Sequence, residues 1–266
     1  MAGNERLISL LKAGFEPLNE NDEIIANYVI DLLPSGINEI NIINPNRDIK
    51  STFQKATSSF RMYESEEVMQ SLLYEKTHAR YIETEIDHPY VFEVKFLTSE
   101  NLMPLITLPR TVDYISDVYL AHEFHHVLKD TNPKESRMKY RFAEVITMFY
   151  ELVRADNESI DLVKREILNR RIALLQFDLA EMRKSPSKYN DKLDKGLKYF
   201  NSFYYSLAMF RVYKENPKQV LTLVSRVLKQ EISTLDLLYI LDLYDNGMDF
   251  VVKEEMDEIK LALKNS

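Results

Sequence analysis

Around position 120 the chain runs without glycine or proline, and Tyr119, Leu120, Phe124, Val127 and Leu128 recur at the spacing of a helix. That helix carries His122-Glu123-Phe124-His125-His126, an H-E-x-x-H pattern, so its periodicity turns the pattern into a statement about geometry. At roughly 100° per residue, His126 lies about 40° around the axis from His122, and both imidazoles can bind one ion at about 2.0–2.1 Å. Glu123 stands about 100° round, on the shoulder of that face, where a carboxylate reaches a metal-activated water without binding the metal. Zinc lowers the pKa of such a water to about 7, so the pattern predicts a zinc hydrolase with Glu123 as general base.

A catalytic zinc normally has three protein ligands and one open position, which calls for a third ligand downstream. Glu144 is the expected one. Asp130-Thr131-Asn132-Pro133 should stop the first helix, and a second amphipathic helix should begin near Lys134. Two antiparallel helices joined by a short turn would bring Glu144 opposite the two histidines. Glu151, seven residues on, shares that face and is expected to orient one of the imidazoles through its other ring nitrogen. His125 lies about 60° the other way from His122 and is expected beside the ligands, facing substrate, or partly exposed at the surface.

The stretch from Pro104-Leu105-Ile106-Thr107-Leu108 through Asp113, Asp117 and Leu120–His126, followed by Ala143-Glu144-Val145, Phe149 and Glu151, resembles the catalytic core of the oligoendopeptidase F and thimet oligopeptidase family. The likeness covers roughly residues 100–155. It implies a gluzincin zinc metallopeptidase of largely helical, zincin-like fold acting on oligopeptides, with one zinc ion held by His122, His126 and Glu144. A strand just upstream of the H-E-x-x-H helix would then be an edge strand that pairs with extended substrate. A weaker likeness over Phe203–Ala208 implies a tyrosine that stabilises the tetrahedral oxyanion, with Tyr204 and Tyr205 as candidates and Tyr199 behind them. The alternative is an inactive relative serving as a binding or regulatory module. His125 and Lys129 stand where the family usually has other residues, and the chain lacks room for the family's large N-terminal helical region.

Only five glycines and nine prolines occur in 266 residues, which favours helices. Residues 4–13, 21–33, 64–79, 158–184, 189–215, 217–229, 233–243 and 250–264 read as helical, with Val68, Leu72 and Leu73 toward the core. Ile37–Ile43 alternates like a short strand, and 51–62 is ambiguous. Tyr81–Ile86 and Tyr90–Phe96 alternate with period two across Asp87-His88-Pro89, the pattern of a hairpin, and Met103–Leu108 would add a third strand. The expectation is an α+β fold, mainly α-helical, with a small antiparallel sheet preceding the H-E-x-x-H helix. Residues 1–60 read as a small, mostly helical N-terminal segment and 61–266 as the catalytic domain, or the two as one continuous domain.

A net charge of −8 argues against a nucleic-acid surface, which needs clustered Lys and Arg. The absence of cysteine excludes disulfides, a thiol nucleophile and a Cys-zinc site. No stretch has signal or membrane-span character, so a cytoplasmic protein is expected, with peptide as its partner and neither nucleic acid nor membrane. Oligomeric state is left open by the sequence. Glu254-Glu255-Met256-Asp257 reads as a solvated helix face.

Overall fold

The computed structural model describes residues 20–35, 40–45, 48–83, 93–97, 103–130, 142–184, 190–244 and 247–264. Their order is α1 (Glu20–Leu32), α2 (Ile49–Ser59) running into a 3-10 turn (Phe60–Tyr63), α3 (Glu66–His78), β1 (Arg80–Glu83), β2 (Glu93–Leu97) and β3 (Met103–Leu108). Then come α4 (Ser116–Asp130), α5 (Val145–Asp156), α6 (Asp161–Lys184), α7 (Asn190–Glu215), α8 (Pro217–Leu228), α9 (Thr234–Ile240) and α10 (Asp249–Lys264). The fold is mainly helical. Among the described residues no helix is long and apolar enough to cross a membrane.

Helix α7 is the axis of the molecule. Every residue from Asn201 to Phe210 is buried, and a helix covered on all faces must be surrounded by others. It is enclosed by α1, α5, α6, α8 and α10. Ser206 is engaged within this buried stretch and across it: its Oγ lies 2.7 Å from Ser202 O and 2.9 Å from Val145 O, which ties α7 to the first residue of α5. Helix α4 lies against α5 on one side and α2 on the other. Local signals start several of these helices. Asp48 accepts from Ser51 N ahead of α2, Ser65 from Val68 N ahead of α3, and Asn216 with Pro217 opens α8.

Among the described residues three strands form the sheet, in the order β1-β3-β2. This corrects the expected small antiparallel sheet, and with it the hairpin between the first two strands. Strand β3 lies between them, parallel to β1 (Arg80 opposite Leu105) and antiparallel to β2 (Lys95 opposite Leu105). The proposed turn at Asp87-His88-Pro89 lies outside the described residues. Period-two alternation identifies a strand but not its neighbour. Ile106 of β3 is fully buried whereas β1 is largely exposed, so the more apolar strand takes the interior position. Strand β3 has neighbours on both sides and is not the edge strand expected upstream of α4; among the described residues the outer positions belong to β1 and β2.

Ile37–Ile43 was expected to form a strand, but its described part, residues 40–43, is not one. Side chains from elsewhere satisfy this backbone. Asn41 N donates to Glu166 Oε1 (2.9 Å), Ile43 N to Asp113 Oδ2 (3.1 Å), and Ile43 O accepts from Tyr114 N (2.7 Å). Two further expectations are corrected by burial. Leu73 is 47% exposed while Val68 and Leu72 face the core. Glu255, read as part of a solvated face, is buried and accepts from Lys214 Nζ at 2.6 Å. The expected helix over 4–13 and the helix start near Lys134 lie outside the described residues.

Candidate metal centre

Helix α4 presents His122 and His126 one turn apart, and α5 brings Glu144 to them. Glu144 sits immediately before α5, in the capping position, yet its carboxylate makes no capping bond to the helix. It turns instead toward the histidines, steadied by Thr147, whose Oγ lies 3.3 Å from Glu144 Oε2 and 2.9 Å from Glu144 O. The three ligand-type atoms are mutually close: His122 Nε2 to His126 Nε2 is 3.2 Å, His126 Nε2 to Glu144 Oε2 is 3.1 Å, and His122 Nε2 to Glu144 Oε2 is 3.4 Å. In a tetrahedral zinc site with ligands at about 2.0–2.1 Å, any two ligand atoms are about 3.3–3.4 Å apart. The three separations match one face of such a tetrahedron, and these side chains could hold a metal ion.

The other nitrogen of His122 is also engaged. Nδ1 donates to Glu151 Oε1 at 2.7 Å, which leaves Nε2 to face His126 and Glu144. Glu151 is buried on α5 and accepts two bonds from Arg171 of α6, Nε to Oε2 at 2.6 Å and a terminal nitrogen to Oε1 at 2.5 Å. Burial works to raise the Glu151 pKa, but the Arg171 charge and the hydrogen bonds from His122 and Arg171 outweigh it and hold the carboxyl down at about 2. Burial opposes ionisation of Glu144 too, and there the His126 charge, the histidine hydrogen bonds and Lys198 prevail, so its pKa lies well below the usual carboxylate value. For His122, burial lowers the pKa while hydrogen bonds to Glu144 and Glu151 raise it, with a net upward shift.

Lys198 of α7 closes the opposite wall, with Nζ 3.6 Å from Glu144 Oε1 and 4.6 Å from the centre of the Tyr199 ring. Glu123 is half-buried beside the ligands, and its charge acts on both His122 and Tyr199. Burial, followed by the charges of Glu144 and others, pushes the Tyr199 phenol upward.

The remaining candidates have partners of their own. Tyr204 donates its hydroxyl to Asp249 Oδ1 at 3.0 Å. Tyr205 has its ring against Phe142, Tyr204 and Tyr244. His125, expected beside the ligands, facing substrate or partly exposed, points into the core between Phe60, Tyr63 and Tyr150. Sequence reading did not find Arg171, Thr147 or Lys198. For Arg171 a signal existed: Arg170-Arg171 sits in a helix between runs of apolar residues, a place where charge is retained only with partners.

No family model, curated protein or solved structure matches this chain.

Proposed function

We propose that the protein is a zinc-dependent metallopeptidase of zincin-like fold that hydrolyses oligopeptides, consistent with a cytoplasmic setting. The observation that carries this reading is the triangle of His122 Nε2, His126 Nε2 and Glu144 Oε2, with sides of 3.2, 3.1 and 3.4 Å, beside the half-buried Glu123. Two imidazoles and one carboxylate suit zinc among the common divalent ions. Bound there, zinc would supply Lewis acidity, polarising a scissile carbonyl and acidifying water.

The chain's own residues have distinct tasks. Glu123 takes the proton of the attacking water and returns it to the leaving amine. Glu151 holds the His122 ring by its Nδ1 hydrogen. Tyr204 has its hydroxyl engaged by Asp249, so the oxyanion role passes to Tyr199, whose ring lies 4.6 Å from the Lys198 Nζ that approaches Glu144. An extended peptide would pair along an outer strand, since β3 has neighbours on both sides.

The test is Glu123→Gln in zinc-loaded protein against a quenched peptide library. Hydrolysis should fall by about 10²–10⁴ while zinc stoichiometry stays unchanged. A wild type that binds zinc but cleaves no peptide would favour the other reading, a binding module, and a Glu123→Gln variant as active as wild type would refute the general-base assignment.

A further inference from the structure

Resting on the zinc reading above, we propose that Arg171 is a positioning residue for His122, acting through Glu151. Three helices contribute one link each: His122 on α4, Glu151 on α5 and Arg171 on α6. All three side chains are buried, with Glu151 only 1% exposed. The guanidinium grips the carboxylate with two nitrogens, at 2.6 and 2.5 Å, and so fixes the plane of the carboxylate as well as its place. Glu151 Oε1, one of the two oxygens gripped, is the atom that accepts from His122 Nδ1 at 2.7 Å. Fixing that oxygen selects the ring tautomer with hydrogen on Nδ1 and leaves Nε2 bare toward His126 and Glu144. Partners that orient a metal-binding histidine in this way set its readiness to bind, and losing one typically weakens metal affinity about 10–100-fold.

The fork distinguishes geometry from charge. A lysine at position 171 would keep the positive charge but, as a single-point donor, could not hold both carboxylate oxygens in one plane. Carboxylate rotation would then loosen the hold on Nδ1, and the ring would populate both tautomers.

The experiment uses the full chain with Arg171→Lys, Glu151→Gln and the double variant. In zinc-free protein, at a pH where the ring is neutral, long-range proton–nitrogen correlation of the His122 ring should show one tautomer with hydrogen on Nδ1 in wild type. It should show a mixture in Arg171→Lys. Zinc affinity by chelator competition should fall about 10–100-fold in Arg171→Lys, and the double variant should be no weaker than Glu151→Gln alone. A single Nδ1–H tautomer retained in Arg171→Lys overturns the proposal. So does loss of the helical circular-dichroism spectrum in that variant, because Arg171 would then serve the fold rather than the ring. If wild type takes up no zinc, the metallopeptidase reading fails while the tautomer measurement still decides the role of Arg171.

Discussion

The hydroxyl of Tyr63 donates to Nε2 of His125 across 2.5 Å, and Nδ1 of the same ring donates to Ala121 O at 2.7 Å. The middle histidine of His122-Glu123-Phe124-His125-His126 therefore spends both nitrogens on the core. It joins α4 to the 3-10 turn at Phe60–Tyr63 and stacks on Phe60 at 4.3 Å. Burial, with added repulsion from His122, His126 and Lys129, pushes its pKa down to about 3.

This neutral histidine should make stability depend on pH. Its folded pKa of about 3 is below the ordinary value of 6.5, so between these values the unfolded chain binds more protons than the folded one. Stability is then full above about 6.5 and is lost as pH falls, at up to about 1.4 kcal/mol per pH unit. Urea unfolding of zinc-free protein across this range should show that share of the slope in wild type and not in His125→Phe/Tyr63→Phe. An unchanged slope in the double variant would mean that His125 is not the responsible group.

Zinc should stabilise the fold. A ligand that binds only the native state adds about 2.7 kcal/mol at a hundred times its Kd, so melting followed by circular dichroism should shift upward on zinc addition. His126→Ala and Glu144→Gln should abolish the shift. Because hydrogen bonds to Glu144 and Glu151 raise the His122 pKa against the effect of burial, protons compete for the site, and the shift should be smaller at about pH 5.5 than at about pH 7.5.

Arg170, next to Arg171, anchors the start of the H-E-x-x-H helix. It is fully buried and donates to Asp113 Oδ2 at 2.5 Å and to Glu166 Oε1 at 3.0 Å. Asp113 in turn accepts from Ile115 N (3.2 Å) and Ser116 Oγ (2.9 Å) at the turn into α4. Removing one member of a buried pair strands the other charge, so Arg170→Met should cost about 3–5 kcal/mol in urea unfolding. A loss under about 1 kcal/mol would show that the pair contributes little to the fold.

Tyr204 and Tyr199 should separate in their effects on activity and on stability. Tyr204→Phe gives up a hydroxyl bonded to Asp249 at 3.0 Å and should lower stability by about 1 kcal/mol with kcat unchanged. Tyr199→Phe should lower kcat on the order of 10²–10³ with little change in stability. Steady-state kinetics with one peptide decides between them, and the reverse pattern would return the oxyanion role to Tyr204.

Much of the helical framework was legible because capping and breaking residues act over a few positions. Pro217 opens α8 after Asn216, and Ser233 with Asp236 forms a capping box at α9. The sheet was not legible to the same degree. Alternation marked β1, β2 and β3 as strands, yet the interior place of β3 depends on competition for burial among strands far apart in the chain. The turn at Phe60–Tyr63 was equally hidden, although it supplies the tyrosine that engages His125.

By itself the sequence determined that His122 and His126 share a helix face with Glu123 on its shoulder, since helical pitch alone fixes residues four apart. It also placed Glu144 and Glu151 seven residues apart. Only the tertiary structure decided that Glu144, free of any capping bond, completes a triangle with the two imidazoles, that Glu151 and Arg171 hold one of those rings, and that His125 belongs to the core. The physical reason is range. Pitch and capping are set by neighbours along the chain, whereas the direction a buried polar side chain takes is set by whichever partners from other helices satisfy it.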